Sequence, residues 1–221
     1  MLICLVLVPI RSNGQSRTWE LGIAGGSVYS FRSPLRIQQD DAAPIRIISH
    51  YITEPFTPPV YYDVRVNTWN EAKGWQLKFT HHKLILQNRP PEVQRFSITD
   101  GFNLLTINRL WRSKGFICSV GGGVVITHPE STIRNKPFPE NGGILNKGYY
   151  ISGPTVEAAL AKQFCFGERW FVFGEGRVTA SYVHVPVVDG HAKVTNAALH
   201  FLLGTGLKLY AEKEKPGSDR F

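Results

Sequence analysis

Polar and apolar residues alternate with a period of two over most of the chain, and helical spacing is nowhere sustained. Alternation of this kind puts successive side chains on opposite faces of a strand. It predicts eight strands: Trp19–Phe31, Val60–Asn70, Trp75–Leu86, Phe96–Trp111, Phe116–His128, Tyr149–Phe166, Trp170–Val185 and Lys193–Tyr210. Many are longer than the roughly five or six residues common in soluble strands. They reach the roughly 9–11 residues that a tilted strand needs to cross a bilayer.

The connections carry a second pattern. "EAKG" (Glu71–Gly74), "RSKG" (Arg112–Gly115) and "GER" (Gly167–Arg169) are very short. Between them come longer connections: Arg32–Pro59, Gln87–Arg95, Ser131–Gly148 and Pro186–Ala192. In an antiparallel up-and-down array this order sorts the short turns to one end and the long loops to the other. Barrels of the outer membrane have that asymmetry, with short periplasmic turns and longer external loops.

The two faces of the strands differ in chemistry. On the last strand Thr195, Ala197, Leu199, Phe201, Leu203, Thr205, Leu207 and Leu209 form one face, opposite Asn196, Ala198, His200, Leu202, Gly204, Gly206 and Lys208. Across the strands the polar face is expected to collect Glu20, Asp63, Arg65, Lys78, Arg109, Glu157, Glu175, Arg177, His200 and Lys208. Charges of both signs in a narrow lumen pair with one another, which offsets their desolvation. The apolar face then meets lipid, where an unpaired sheet edge is not tolerated, so the sheet must close. All five tryptophans, Trp19, Trp69, Trp75, Trp111 and Trp170, fall near the short-turn end and are expected to form one interfacial girdle.

Composition narrows the class. The chain has 221 residues with 43% hydrophobic and 12% aromatic content, enough for one ordinary domain. The net charge of +8 is spread along the chain, without a run of five basic residues, so no nucleic-acid role is expected. Cys4, Cys118 and Cys165 form no CxxC pair and no zinc spacing. Free thiols, no metal and no cofactor are expected. The apolar run Leu2–Ile10, followed by "RSNGQS", reads as a signal peptide over residues 1–15, with the barrel at 16–210 and a charged tail at 211–221. The other reading of that run is a buried first strand of a soluble protein.

This architecture resembles the small eight-stranded outer-membrane barrels, the OmpA and OmpX types and the barrel enzymes that modify lipid A acyl chains. The resemblance spans about Trp19 to Tyr210 and lies in the strand pattern rather than in a diagnostic motif. It departs at "KLYAEKEKPGSDRF", where a charged tail follows Tyr210, the aromatic expected to end the last strand. It implies an all-β, eight-stranded antiparallel up-and-down transmembrane β-barrel in the cell outer membrane.

Candidate chemistry gathers at the loop-rich end. His50, His81, His82, His128, His184 and His191 are placed at or near it, and His200 alone at mid-barrel. A rim of histidines suits general-base or metal chemistry, and equally suits a wet, polar edge. The lipid A deacylases among the resembled barrels pair a histidine with a serine, supported by an acid; their His-x-Ser pattern is absent here. The stand-ins are Ser181 with His184, which face opposite sides, Ser49 with His50, and His81 or His82 with Thr99 or Asp100 on the adjacent strand, with His82 the first to test. "SVGGGVVI" lacks the Lys-Ser/Thr ending of a phosphate loop, so its glycines are read as relief of crowding in the wall.

The functional expectation is an outer-membrane barrel with a packed polar lumen and a structural or binding role through its external loops. Its partners would be membrane lipid and lipopolysaccharide, whose phosphates suit the loop arginines and lysines. The alternatives are a lipid A acyl-ester hydrolase or acyltransferase, and a soluble periplasmic barrel carrying an apolar ligand.

Overall fold

The computed structural model describes residues 18–139 and 141–210, all in strands and connections. The expected signal peptide and charged tail lie outside the described residues. Thirteen strands follow in chain order. The first four are β1 (Thr18–Ser30), β2 (Ser33–Gln39), β3 (Ile45–Ser49) and β4 (Tyr51–Ile52). Then come β5 (Tyr62–Asn70), β6 (Lys73–Leu86), β7 (Val93–Ser113), β8 (Phe116–Thr127), β9 (Glu130–Ile133) and β10 (Lys136–Pro137). The last three are β11 (Tyr150–Phe166), β12 (Trp170–Val187) and β13 (Gly190–Tyr210).

Eight of them make a closed antiparallel ring in the order β1, β5, β6, β7, β8, β11, β12, β13. Closure runs from Thr18↔Tyr210 to Ser30↔Ala198, so no edge is left along the wall. These eight correspond to the strands that the alternation predicts, with ends moved by a few residues. Three tight turns lie at one end. Lys114 and Gly115, both at positive φ (49° and 81°), give the β7–β8 turn a backbone twist matched to the flanking strands.

The ring is apolar outside and polar inside. Leu21, Ile23, Leu77, Ile107, Val120, Val178, Phe201 and Leu203 all stand exposed on the outside. Glu20, Asp63, Lys78, Thr80, Asn108 and His200 are fully buried. Trp170 and Tyr182 share the outer face of β12, twelve positions apart. At about 3.3 Å per residue and a tilt of about 40°, that face is roughly 30 Å tall, enough for a hydrocarbon core.

Five expectations change. Arg109 points outward, since Thr106, Asn108 and Leu110 are the buried residues of that part of β7; its guanidinium lies 5.0 Å above the Trp75 ring. Trp69 points inward and is 2% exposed, so four tryptophans rather than five stand on the outside. The expected loop Pro186–Ala192 is a two-residue turn between long strands. The connections Arg32–Pro59 and Ser131–Gly148 contain strands of their own. β2 pairs with β13 and with β3, β4 with β6, and β9 with β7 and β10.

These additions extend the wall beyond the lipid-facing band. There the inward face turns apolar: Leu35, Ile37, Leu84, Leu86, Ile98, Phe102, Leu104, Val125, Val183, Val185 and Val194 pack into one cluster. At about 1.5–3 kcal/mol per fully buried side chain, this cluster is the main hydrophobic contribution inside the wall. In the wall itself, Gly123 is needed because a Cβ there would sit 1.9 Å from the Leu105 carbonyl oxygen, in keeping with relief of crowding.

Candidate functional site: the sealed lumen and the outer rim

The lumen is filled in layers. At the short-turn end the Trp69 indole donates to Glu20 at 2.7 Å, and Arg112 lies 3.9 Å over the Trp69 ring while pairing with Glu20 at 3.2 Å. Asn67 and Gln76 follow, with Gln76 donating to Asn67 at 2.9 Å. This layer stops the mouth of the tube with an indole and a guanidinium.

Above it lies the charged layer. Arg65 donates to Asp63 at 2.7 Å and also pairs with Glu175. Lys78 donates to Glu157 at 2.8 Å and lies 3.4 Å from Glu175. Arg177 donates to Asp63 at 3.0 Å, and Thr80 donates to the same carboxylate oxygen at 2.7 Å. Three cations therefore face three carboxylates, and Asp63, Glu157 and Arg177 make further hydrogen bonds with Thr80, Asn108 and Tyr61; such pairing offsets the cost of burying charge.

Next comes a relay of neutral groups. Arg177 donates to the Tyr61 hydroxyl at 2.8 Å, and that hydroxyl meets His200 Nδ1 at 3.0 Å. His200 Nε2 meets the Thr179 hydroxyl at 3.0 Å. All these bonds are satisfied when Tyr61 donates to Nδ1 and the His200 proton sits on Nε2.

His82 roofs this relay. Its ring lies 5.3 Å from His200 and 5.1 Å from Phe102, and it is 1% exposed. It thus sits inside the tube beneath the apolar cluster, whereas the sequence placed it at the rim. His81, on the opposite face of β6, is also buried. It stacks on Tyr62 at 5.0 Å and bonds Asn103 at 2.9 Å.

The other two expected site residues lie elsewhere. Thr99 donates its hydroxyl to Glu130 at 2.6 Å, and Glu130 also pairs with Arg95. Asp100 stands half-exposed, 3.9 Å from His128 Nδ1. Tyr149 packs edge-on to His128 at 4.9 Å; burial, with the Asp100 charge beside it, raises its phenol. A bulge between His82 and Leu84 pairs His82 with Phe102 and Leu84 with Ile98. Thr99 and Asp100 therefore join the rim group of His128 and Glu130, and His82 remains in the lumen. Asp100, His128 and Glu130 hold ligand-type atoms within 4.8 Å of one another. The Glu130 oxygens of that trio are already engaged by Thr99 and Arg95.

Alternation puts Tyr61 on the same face as Asp63 and Arg65, but its role in the relay depends on register across β1, β5, β12 and β13. Glu130 falls between the predicted strand ending at His128 and the connection from Ser131, and the alternation assigns it no role. Cys118 and Cys165, the cysteines among the described residues, are free thiols.

A closed eight-strand antiparallel ring, apolar outside and ion-paired inside, with tryptophans around one end, defines a small outer-membrane β-barrel. No family model and no curated relative matches the chain. Similar solved structures include Ail, the attachment invasion locus protein of Yersinia pestis, at 11% identity and a TM-score of 0.38 over 88% of this chain and 99% of that one. The outer-membrane protein AlkL in lipid bilayers is 12% identical, with a TM-score of 0.48 over 95% and 99%. OprG of Pseudomonas aeruginosa, also an outer-membrane protein, is 10% identical, with a TM-score of 0.41 over 89% and 97%. What makes this chain a membrane barrel is its own closed ring and the chemistry of its two faces.

Proposed function

We infer that the protein is a non-conducting outer-membrane barrel that works through the part of its wall built above the lipid band, as a rigid platform for binding at the outer leaflet. One observation carries this reading. The tube is filled from Trp69 through the ion-paired layer to His82, and the apolar cluster then caps it, so the wall above supports a surface instead of a passage. Eight strands leave an interior just wide enough for side chains to fill. The hairpins β2–β3 and β9–β10 give that surface fixed strands in place of loose loops. Lipopolysaccharide is the partner this reading supplies, being the lipid of the leaflet in which the platform stands.

The test has two parts. Protein reconstituted in planar bilayers is expected to give no stepwise current, and protein extracted gently from outer membranes is expected to retain lipopolysaccharide through washing. Stepwise conductance would contradict the sealed lumen. Complete loss of lipopolysaccharide on the first wash would contradict the named partner.

A further inference from the structure

The register of the outer wall brings four basic-type residues into one row. His184 on β12 pairs with Lys193 on β13, Lys193 with Arg36 on β2, and Arg36 with Arg46 on β3. All four lie on the outward face: Val183, Val185, Val194, Leu35, Ile37 and Ile45 are the neighbours that turn inward. Paired positions on adjacent strands are about 5 Å apart, so the row covers roughly 15 Å.

Like charges set directly opposite on neighbouring strands repel and destabilise a sheet. Here Lys193 faces Arg36, and Arg36 faces Arg46. Among the described residues none of these three cations is held in an ion pair. By contrast, Lys136 takes Asp189 at 2.8 Å and Arg95 takes Glu130. The row is thus a line of uncompensated positive charge on strands whose geometry is fixed.

Its height is informative. Two residues nearer the membrane on the same faces stand Tyr182, 46% exposed, and Ile48, 58% exposed, with Pro34 beside them. These belong to the apolar exterior. The basic row begins where that exterior ends. A shallow concavity of about 450 Å³ lies over the β2–β3 part, lined by Pro34, Leu35, Arg36, Arg46, Ile47 and Ile48. Its surface joins two guanidinium-bearing residues to an apolar floor. An anion that carries its own hydrocarbon fits both halves; a free anion uses only one.

We propose that the row His184–Lys193–Arg36–Arg46 is a binding site for the phosphate-bearing headgroup of an outer-leaflet lipid. The phosphate takes charge-assisted hydrogen bonds from Arg36, Arg46 and Lys193, and the first acyl segments lie against Ile48, Pro34 and Tyr182. The inference rests on the outer-membrane platform reading and names the site at which that platform takes its lipid.

The experiment uses full-length protein in zwitterionic micelles, titrated with diphosphorylated lipid A and separately with inorganic phosphate, and read by native mass spectrometry. The triple variant R36Q/R46Q/K193Q is expected to bind lipid A about 100-fold more weakly than wild type. The control K73Q/K114Q/R169Q removes the same charge from the short-turn end and is expected to bind as wild type. Without lipid A, the row variant is expected to melt at the wild-type temperature or higher, because the repulsion has gone; a lower midpoint would overturn the premise of a repulsive row. Equal lipid A binding by wild type and row variant overturns the site, as does equal weakening by the control. Phosphate binding as tight as lipid A binding overturns the lipid in favour of a free anion. If wild type inserts, stays non-conducting and retains lipopolysaccharide but the row variant retains as much, this site fails while the platform reading stands.

Discussion

Lys78 and Glu157 meet at 2.8 Å across the lumen, and neither side chain has any exposure to solvent. The two residues lie on β6 and β11, with β7 and β8 between them along the wall, so the contact spans the tube. Breaking one partner of such a pair strands the other charge. The variant K78M is expected to lose about 3–5 kcal/mol of stability, measured as urea unfolding in lipid vesicles. Adding E157Q to K78M is expected to recover part of that loss. A K78M protein as stable as wild type would contradict the packed ion network.

The tryptophans offer a spectroscopic check. Trp19, Trp75, Trp111 and Trp170 stand on the outside, while Trp69 donates to Glu20 within the tube. In variants that keep a single tryptophan, lipids brominated near the headgroup are expected to quench each of the four strongly and Trp69 little. Strong quenching of Trp69 would mean that the mouth is not stopped by its ring.

The apolar cap predicts a local failure. Phe102 is fully buried between His82 and the cluster. Truncation to alanine is expected to cost about 3–5 kcal/mol and to open the outer wall to proteases while the lipid-facing band stays protected. Limited proteolysis of F102A in vesicles reads this. Cleavage confined to the short-turn end would contradict it.

His82 has Phe102 and His200 against its ring, and Thr99 gives its hydroxyl to Glu130. General-base catalysis needs the base within reach of the hydroxyl it activates. Cells expressing wild type and H82A are therefore expected to show the same lipid A mass spectrum. A species present with wild type and absent with H82A would favour the acyl-ester reading.

Much of the wall could be read from the sequence because a two-residue period records directly which side chains share a face. Asp63, Arg65 and Asn67 on β5, and Gln76, Lys78 and Thr80 on β6, point inward as their alternation says. Arg109 and Trp69 did not follow their chemical type, because parity along the strand, and not polarity, decides the face. At strand ends a long amphipathic side chain is satisfied either way. The outer wall was harder to see. β2, β3 and β9 are short, and beyond the lipid band their inward face is as apolar as an ordinary core, so the inside-polar rule no longer applies. His82 was misplaced in height for the same reason: the strand continues well past the membrane. The bulge after His82 shifts the cross-strand neighbours by two residues, which separates it from Thr99 and Asp100. The basic row needs the pairing of four strands, and pairing across connections of this length is not written in a single strand's pattern.

The orientation of the two faces is tested most directly by nitroxide labels on cysteines placed at Leu199, Phe201 and Leu203, outward positions of β13, in a background without native cysteines. In lipid vesicles, these labels are expected to collide freely with dissolved oxygen and rarely with a water-soluble nickel chelate. Labels that are immobilised and shielded from both would place this face in the protein's own interior and contradict the account.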